Sequence, residues 1–259
     1  MTKLTKAAIL LASLVALAQG ASAATTDWTG GYVGIYAGPN SQQGHASTTT
    51  VFSAGGYFAA SSVPAIATAG SQKLNTTGEN LGLLAGYNFH VDENWVLGLE
   101  ADFGLNHDTS LNGAGGVYPC CAPTAFTVTS KVQTNWLMTV RPRLGYAWDN
   151  WLAYVTAGLA MGNAKSSFLF TDTFATAHES GVFKSTQTSW TAGGGIENRI
   201  SSDVSVRLEY LYANLGSTGG TSTNLTAFGP PAIAFPTNVF THRASLNEHM
   251  VRFAVAYHL

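Results

Sequence analysis

Charge is scarce in this chain. Asp, Glu, Lys and Arg make up 10% of its 259 residues, against roughly 25% in ordinary soluble domains. Lysine occurs at Lys3 and Lys6 and then only at Lys73, Lys131, Lys165 and Lys184. So few cations cannot clothe a water-facing exterior, and they leave no basic surface for nucleic acid. Long apolar runs are missing too. The longest, Ala7 to Ala18, falls short of the about 20 residues a helical membrane span needs. The two cysteines, Cys120 and Cys121, are adjacent, which is not metal-site spacing, and the seven histidines are scattered rather than clustered as ligands. No metal, cofactor or catalytic residue is expected.

The start of the chain reads as an export signal: Lys3 and Lys6, the apolar run, then Ala21-Ser22-Ala23. Small residues there predict cleavage after Ala23, which divides the chain into a signal peptide, 1–23, and one domain, 24–259. Losing two lysines leaves ten basic residues against fourteen acids, a net charge of −4. A chain too poor in charge for water and too broken for helices can still cross lipid as a closed sheet, with every backbone hydrogen bond satisfied between strands.

Eight alternating stretches support that reading: Gly31 to Gly38, Asn80 to Phe89, Trp95 to Gly104, Gln133 to Trp148, Trp151 to Asn163, Thr188 to Arg199, Val204 to Leu215 and Asn247 to Tyr257. Short turns, His90 to Asn94, Asp149-Asn150 and Ile200 to Asp203, carry turn-forming Asp, Asn and Ser. Long segments, Pro39 to Glu79, Leu105 to Val132, Ala164 to Gln187 and Gly216 to Leu246, read as mobile polar loops. An even strand count with short and long connections in alternation predicts an all-β, eight-stranded antiparallel transmembrane barrel. Both termini would be periplasmic and the long loops extracellular, in the Gram-negative outer membrane.

Alternation does not say which face meets lipid, but arginine does. Period 2 places Trp95, Leu97, Leu99, Ala101 and Phe103 on one face and Glu100 and Asp102 on the other. The same parity groups Arg141, Arg143, Glu197, Arg199, Arg207, Glu209 and Arg252. An arginine facing lipid at mid-depth costs about 2–4 kcal/mol, so Arg141, Arg143, Arg207 and Arg252 together would cost roughly 8–16 kcal/mol, rivalling a domain's whole stability of about 5–15 kcal/mol. The charges are therefore expected inside, as a structural network in a bore just wide enough for side chains. Glycines 82, 86, 98, 145, 193 and 195 would make room for them. Pro142, lacking an N–H, predicts a bulge or a break in pairing near Arg141 to Arg143. Trp28, Tyr32, Trp95, Trp136, Tyr146, Trp148, Trp151, Trp190 and Tyr257 are expected in the interfacial girdles.

The segments Trp28-Thr-Gly-Gly-Tyr-Val-Gly, Asn94-Trp-Val-Leu-Gly-Leu-Glu-Ala-Asp-Phe, Arg143-Leu-Gly-Tyr-Ala-Trp-Asp and Arg207-Leu-Glu-Tyr-Leu-Tyr resemble the alphaproteobacterial porin-family proteins called outer membrane immunogenic proteins. The resemblance implies an eight-stranded barrel similar to the OmpA membrane domain. It also implies surface exposure, a role in envelope integrity, and association with outer-membrane lipids, lipopolysaccharide and the barrel-assembly machinery. Such proteins usually end in an aromatic residue, and this chain departs from them at Leu259.

The expected function is thus a structural, surface-exposed barrel, with a narrow low-conductance pore as the alternative. A lipid A-modifying enzyme is a third reading: His178-Glu179-Ser180 places a His and a Ser two residues apart, but in a polar segment without a matching acid motif, and a nucleophile needs a positioned base and orienter. In an oxidising compartment Cys120 and Cys121 could bond to each other as a vicinal disulfide, pair with another chain, or stay free.

Overall fold

A computed structural model describes residues 27–259. The signal segment, its cleavage point after Ala23 and the division between 1–23 and 24–259 lie outside the described residues. In chain order the elements are β1 (Gly30–Thr50), α1 (Ser62–Gly70), β2 (Gln72–His90), β3 (Trp95–Val117), β4 (Ala125–Trp148), β5 (Trp151–Asp172), β6 (His178–Arg199), β7 (Val204–Ser222), β8 (Thr226–Ala227), β9 (Ile233–Ala234) and β10 (Phe240–His258).

The eight long strands hydrogen-bond in the order β5-β4-β3-β2-β1-β10-β7-β6, and β6 pairs back to β5, so the sheet closes into a ring. Neighbours are antiparallel throughout. At the end near Leu259, the strands are joined by connections of two to four residues: 91–94, 149–150 and 200–203. Asp149 takes a left-handed φ of 47° in the tightest of these, a conformation Asp tolerates better than most residues.

The segments read as long loops are mostly strand, which corrects that expectation. β1 runs on to Thr50, β3 to Val117, and β4 starts at Ala125. Strands of 19 to 24 residues are about twice the 9–11 a membrane crossing takes. Alternation continues through these halves with small and hydroxylated residues: Phe126, Val128, Ser130 and Val132 are buried, while Thr127 is exposed and Thr129 half-exposed. β-branched threonine suits the outer face of such a strand.

The far end is closed by α1 and the 223–239 segment. Phe58, Ile66, Tyr118, Phe126, Phe170, Leu225 and Phe240 form one buried cluster there. Cys120 and Cys121 are joined by a disulfide beside it. Tyr57 and Tyr118 both donate to Asp172 Oδ2, at 2.5 and 2.8 Å; burial, reinforced by that carboxylate, pushes both phenols well up. The intact protein is expected to be lighter than its dithiol form by two hydrogens, which mass spectrometry before and after reduction would show. Equal masses would remove the bridge.

Pro142 produces a break and no bulge. It keeps register opposite Leu99, and on the β5 side the ladder skips from Val140–Leu159 to Arg143–Thr156 without a register change. The Pro142 carbonyl accepts from Thr156 Oγ1 at 2.8 Å. Register shifts occur farther along instead, at Leu105/Asp108, Thr134/Leu137 and Ser245/Asn247.

Candidate functional site in the interior of the ring

The inside of the ring is filled in successive layers. At the end near the short turns, Trp28, Val96, Ala147 and Leu152 pack together. Trp28 and Tyr32, expected in a lipid-facing girdle, are both buried. Trp28 plugs the mouth, with its backbone N–H bonded to His90 Nε2 at 3.1 Å and the Arg199 guanidinium 4.9 Å over its ring. Trp95, Tyr146, Trp148, Trp151, Trp190 and Tyr257 are exposed on the outer face.

Above the mouth lies a network of four guanidinium groups and four carboxylates. Arg141 reaches Glu100 at 2.8 Å, Asp102 at 2.9 Å and Glu209 at 3.0 Å. Arg143 meets Glu197 at 3.2 Å, and Arg207 bridges Glu100 at 2.5 Å and Glu197 at 3.0 Å. Arg252 contacts Asp102 at 3.1 Å. All eight are at least 96% buried. Charges removed from water at this depth persist only when paired and hydrogen-bonded, and the four-to-four balance meets that demand. Arg199 stands apart from them: half-buried at the rim, it donates to the carbonyls of Ser202 and Asp27 and approaches His258 Nδ1 at 3.0 Å.

Three tyrosines that sequence reasoning missed complete this layer. Tyr32 donates to Glu100 at 2.8 Å, Tyr36 to Asp102 at 3.2 Å, and Tyr154 to Glu209 at 2.7 Å. Arg143 lies 4.9 Å from the centroids of both the Tyr32 and the Tyr154 rings, and Arg252 lies 4.3 Å over Tyr36. The available signal was parity: Tyr32 and Tyr36 alternate with Val33 and Ile35, which are exposed.

Glycines make this stacking possible. A Cβ on Gly86 would run into the Tyr32 ring and come 2.8 Å from the Leu99 carbonyl, and one on Gly82 would strike the Tyr36 ring. Gly86→Val should therefore displace Tyr32 from Glu100. Overpacking of this kind costs about 1–3 kcal/mol or more, and a lowered urea midpoint of the refolded protein would register it. An unchanged midpoint would mean the ring is free to move aside.

Next along the axis is a layer of amides and acids. Asn106 donates to Glu248 at 2.8 and 3.0 Å, Asn40 donates to Asp108 and Glu248, and Gln42 to Asp108 and Thr134. An apolar layer follows, with Leu74, Val132, Leu137, Phe168, Leu211, Leu246 and Met250. Beyond it, His242 Nε2 meets Glu179 Oε1 at 3.1 Å, Ser222 bonds both, and Thr48 sits 3.1 Å from His242 Nδ1.

The candidate enzyme tripeptide is split by this arrangement. Glu179 points inward to His242 while Ser180 lies on the other face, its backbone N–H and C=O both bonded to the Asn224 side chain. Among the described residues no hydrogen bond joins His178 to Ser180. What this interior can do chemically is hold paired charge in place.

The model of the outer membrane protein beta-barrel domain matches residues 8–229. The chain belongs to this outer-membrane β-barrel family. Among its relatives, the 31 kDa outer-membrane immunogenic protein of Brucella melitensis biotype 1 is 31% identical over 229 residues, covering 86% of this chain and 84% of that one. The 22 kDa outer membrane protein of Rhizobium leguminosarum bv. viciae is 31% identical over 52% of each chain. Of solved structures, the outer membrane protease OmpT from Escherichia coli is similar at a TM-score of 0.44 with 8% identity, over 93% of this barrel protein and 100% of that chain. That score is too low to carry any activity across.

Proposed function

We propose that this barrel is a structural, surface-exposed component of the Gram-negative outer membrane, with its termini in the periplasm, its long strands projecting outward, and an interior that does not conduct. Its partners are the membrane lipids, including lipopolysaccharide, and the assembly machinery that inserts it. The observation that carries this reading is the unbroken sequence of filled layers from Trp28 to the aromatic cap. An ion following the axis would have to displace paired arginines and then an apolar layer, each costing many kcal/mol of unpaired charge or lost contact. That its Brucella relative is called an outer-membrane immunogenic protein fits exposed outer ends.

Planar-bilayer recording of the refolded protein tests it. Silence is the expected result. Reproducible small openings would replace this reading with that of a narrow pore, and large ones would contradict the filled interior.

A further inference from the structure

The outward-facing lysines and Arg243 gather toward one end of the barrel. Asp92, Glu93, Asp149 and Asp203 sit on the short turns, whereas Lys73, Lys131, Lys165, Lys184 and Arg243 all lie on the strand halves that extend toward the cap. Three of these cations fall together. Lys165 on β5 pairs directly with Lys184 on β6. Lys131 on β4 is diagonal to Lys165, since Lys131 faces Ser167 and Gln133 faces Lys165. Directly opposed cross-strand residues have Cβ atoms about 4.5–5.5 Å apart, and like charges placed so destabilise a sheet.

Among the described residues nothing relieves that repulsion. The flanking outward positions, Thr129, Gln133, Ser167 and Thr186, are uncharged, and among the described residues no ion pair involves these lysines. The nearest acid along β5, Asp172, is engaged by Tyr57 and Tyr118. Glu79, exposed on β2 near the opposite side of the ring, is remote.

Their height is equally particular. Going up the outer face, the dense run of large apolar side chains ends at Trp136 on β4, Met161 on β5 and Trp190 on β6, and beyond the lysines Leu169 and Val182 recur singly. Lys165 follows Met161 by four residues, which at about 3.3 Å per residue and a strand tilt near 40° puts it about 10 Å beyond the apolar band. That is the depth of lipid headgroups.

We infer that Lys131, Lys165 and Lys184 form a binding site for the phosphorylated headgroup of an outer-leaflet glycolipid. The inference rests on the outer-membrane orientation proposed above. A phosphomonoester supplies the missing anion, and three ammonium groups on flexible stems can converge on one phosphate as point donors.

The test titrates detergent-solubilised full-length barrel with fluorescent diphosphoryl lipid A and with its dephosphorylated form. The wild type should prefer the phosphorylated lipid. The triple variant K131Q/K165Q/K184Q should lose about fivefold in affinity per lysine, on the order of 100-fold in all, while a triple arginine variant keeps it. Inorganic phosphate in excess should displace the lipid only weakly, because the acyl chains also contribute. Equal binding by wild type and the triple glutamine variant overturns the inference, as does indifference to dephosphorylation or full displacement by inorganic phosphate. A heat-modifiable gel shift in every variant separates loss of the site from loss of the fold. If binding fails to change while bilayers stay silent, the lipid site alone falls and the structural reading stands.

Discussion

Arg141→Met should destabilise the folded barrel by about 3–5 kcal/mol, the usual cost of breaking a buried ion pair by removing one partner. The size follows from geometry. Arg141 bonds three carboxylates within 3.0 Å, those of Glu100, Asp102 and Glu209, and is 1% exposed. Its loss leaves three guanidinium groups facing four carboxylates, all at least 96% buried. Urea titration of the refolded protein in lipid vesicles reads the change. Arg141→Lys should recover little, because a compact ammonium lacks the planar fork whose separate nitrogens reach Glu209 on one side and Glu100 and Asp102 on the other. Adding Glu209→Gln to Arg141→Met should restore part of the loss, since the double variant again balances charge. A cost below about 1 kcal/mol, typical of exposed pairs, would mean the network is wet.

The second large effect lies on the other face. Leu99 is 54% exposed and stands midway along the apolar band of β3. Leu99→Arg should cost about 2–4 kcal/mol in a bilayer, where mid-depth arginine is penalised. Val182→Arg, on an equally exposed position of β6 beyond Lys184, should stay within about 0.5 kcal/mol, as surface changes usually do. Measuring both by the same urea titration turns depth into the only variable. Equal costs would mean the outer face of β3 meets water.

How much of this was legible in the sequence depends on the chemistry of each strand half. In β3 the run from Trp95 to Phe103 alternates bulky apolar residues with Glu100 and Asp102, so period 2 and the arginine cost argument speak together. The outer halves carry the same period in threonine, serine and glycine, as in Ser41 to Thr50 of β1, and composition alone makes that pattern look like loop. Nothing local marks Thr48 or His242 as buried. They are inside because β1 and β10 stay paired up to Thr50–Phe240, a long-range fact. Tyr32 is inside although it lies near a strand end, because parity decides the face: it shares that face with Tyr36, and both hydroxyls find carboxylates. Arg199 follows the parity of Glu197, but one step nearer the rim it meets carbonyls and Trp28 instead of acids.

The lysine cluster was invisible for a related reason. Lys131, Lys165 and Lys184 are far apart in sequence, and only the registers of β4, β5 and β6 bring them to one patch. Treated as scattered loop residues, they carry no message. Treated as cross-strand neighbours, they pose an electrostatic problem that a lipid phosphate solves.

A spin-label scan would show whether the ring turns its apolar face to lipid. Single labels at Leu97, Leu99, Ala101 and Phe103, in a background with Cys120 and Cys121 replaced by serine, would be read in vesicles for collisions with oxygen and with a water-soluble paramagnetic reagent. Oxygen should dominate at all four, most strongly at Leu99 and Ala101. Dominance of the water-soluble reagent at those positions would contradict that orientation.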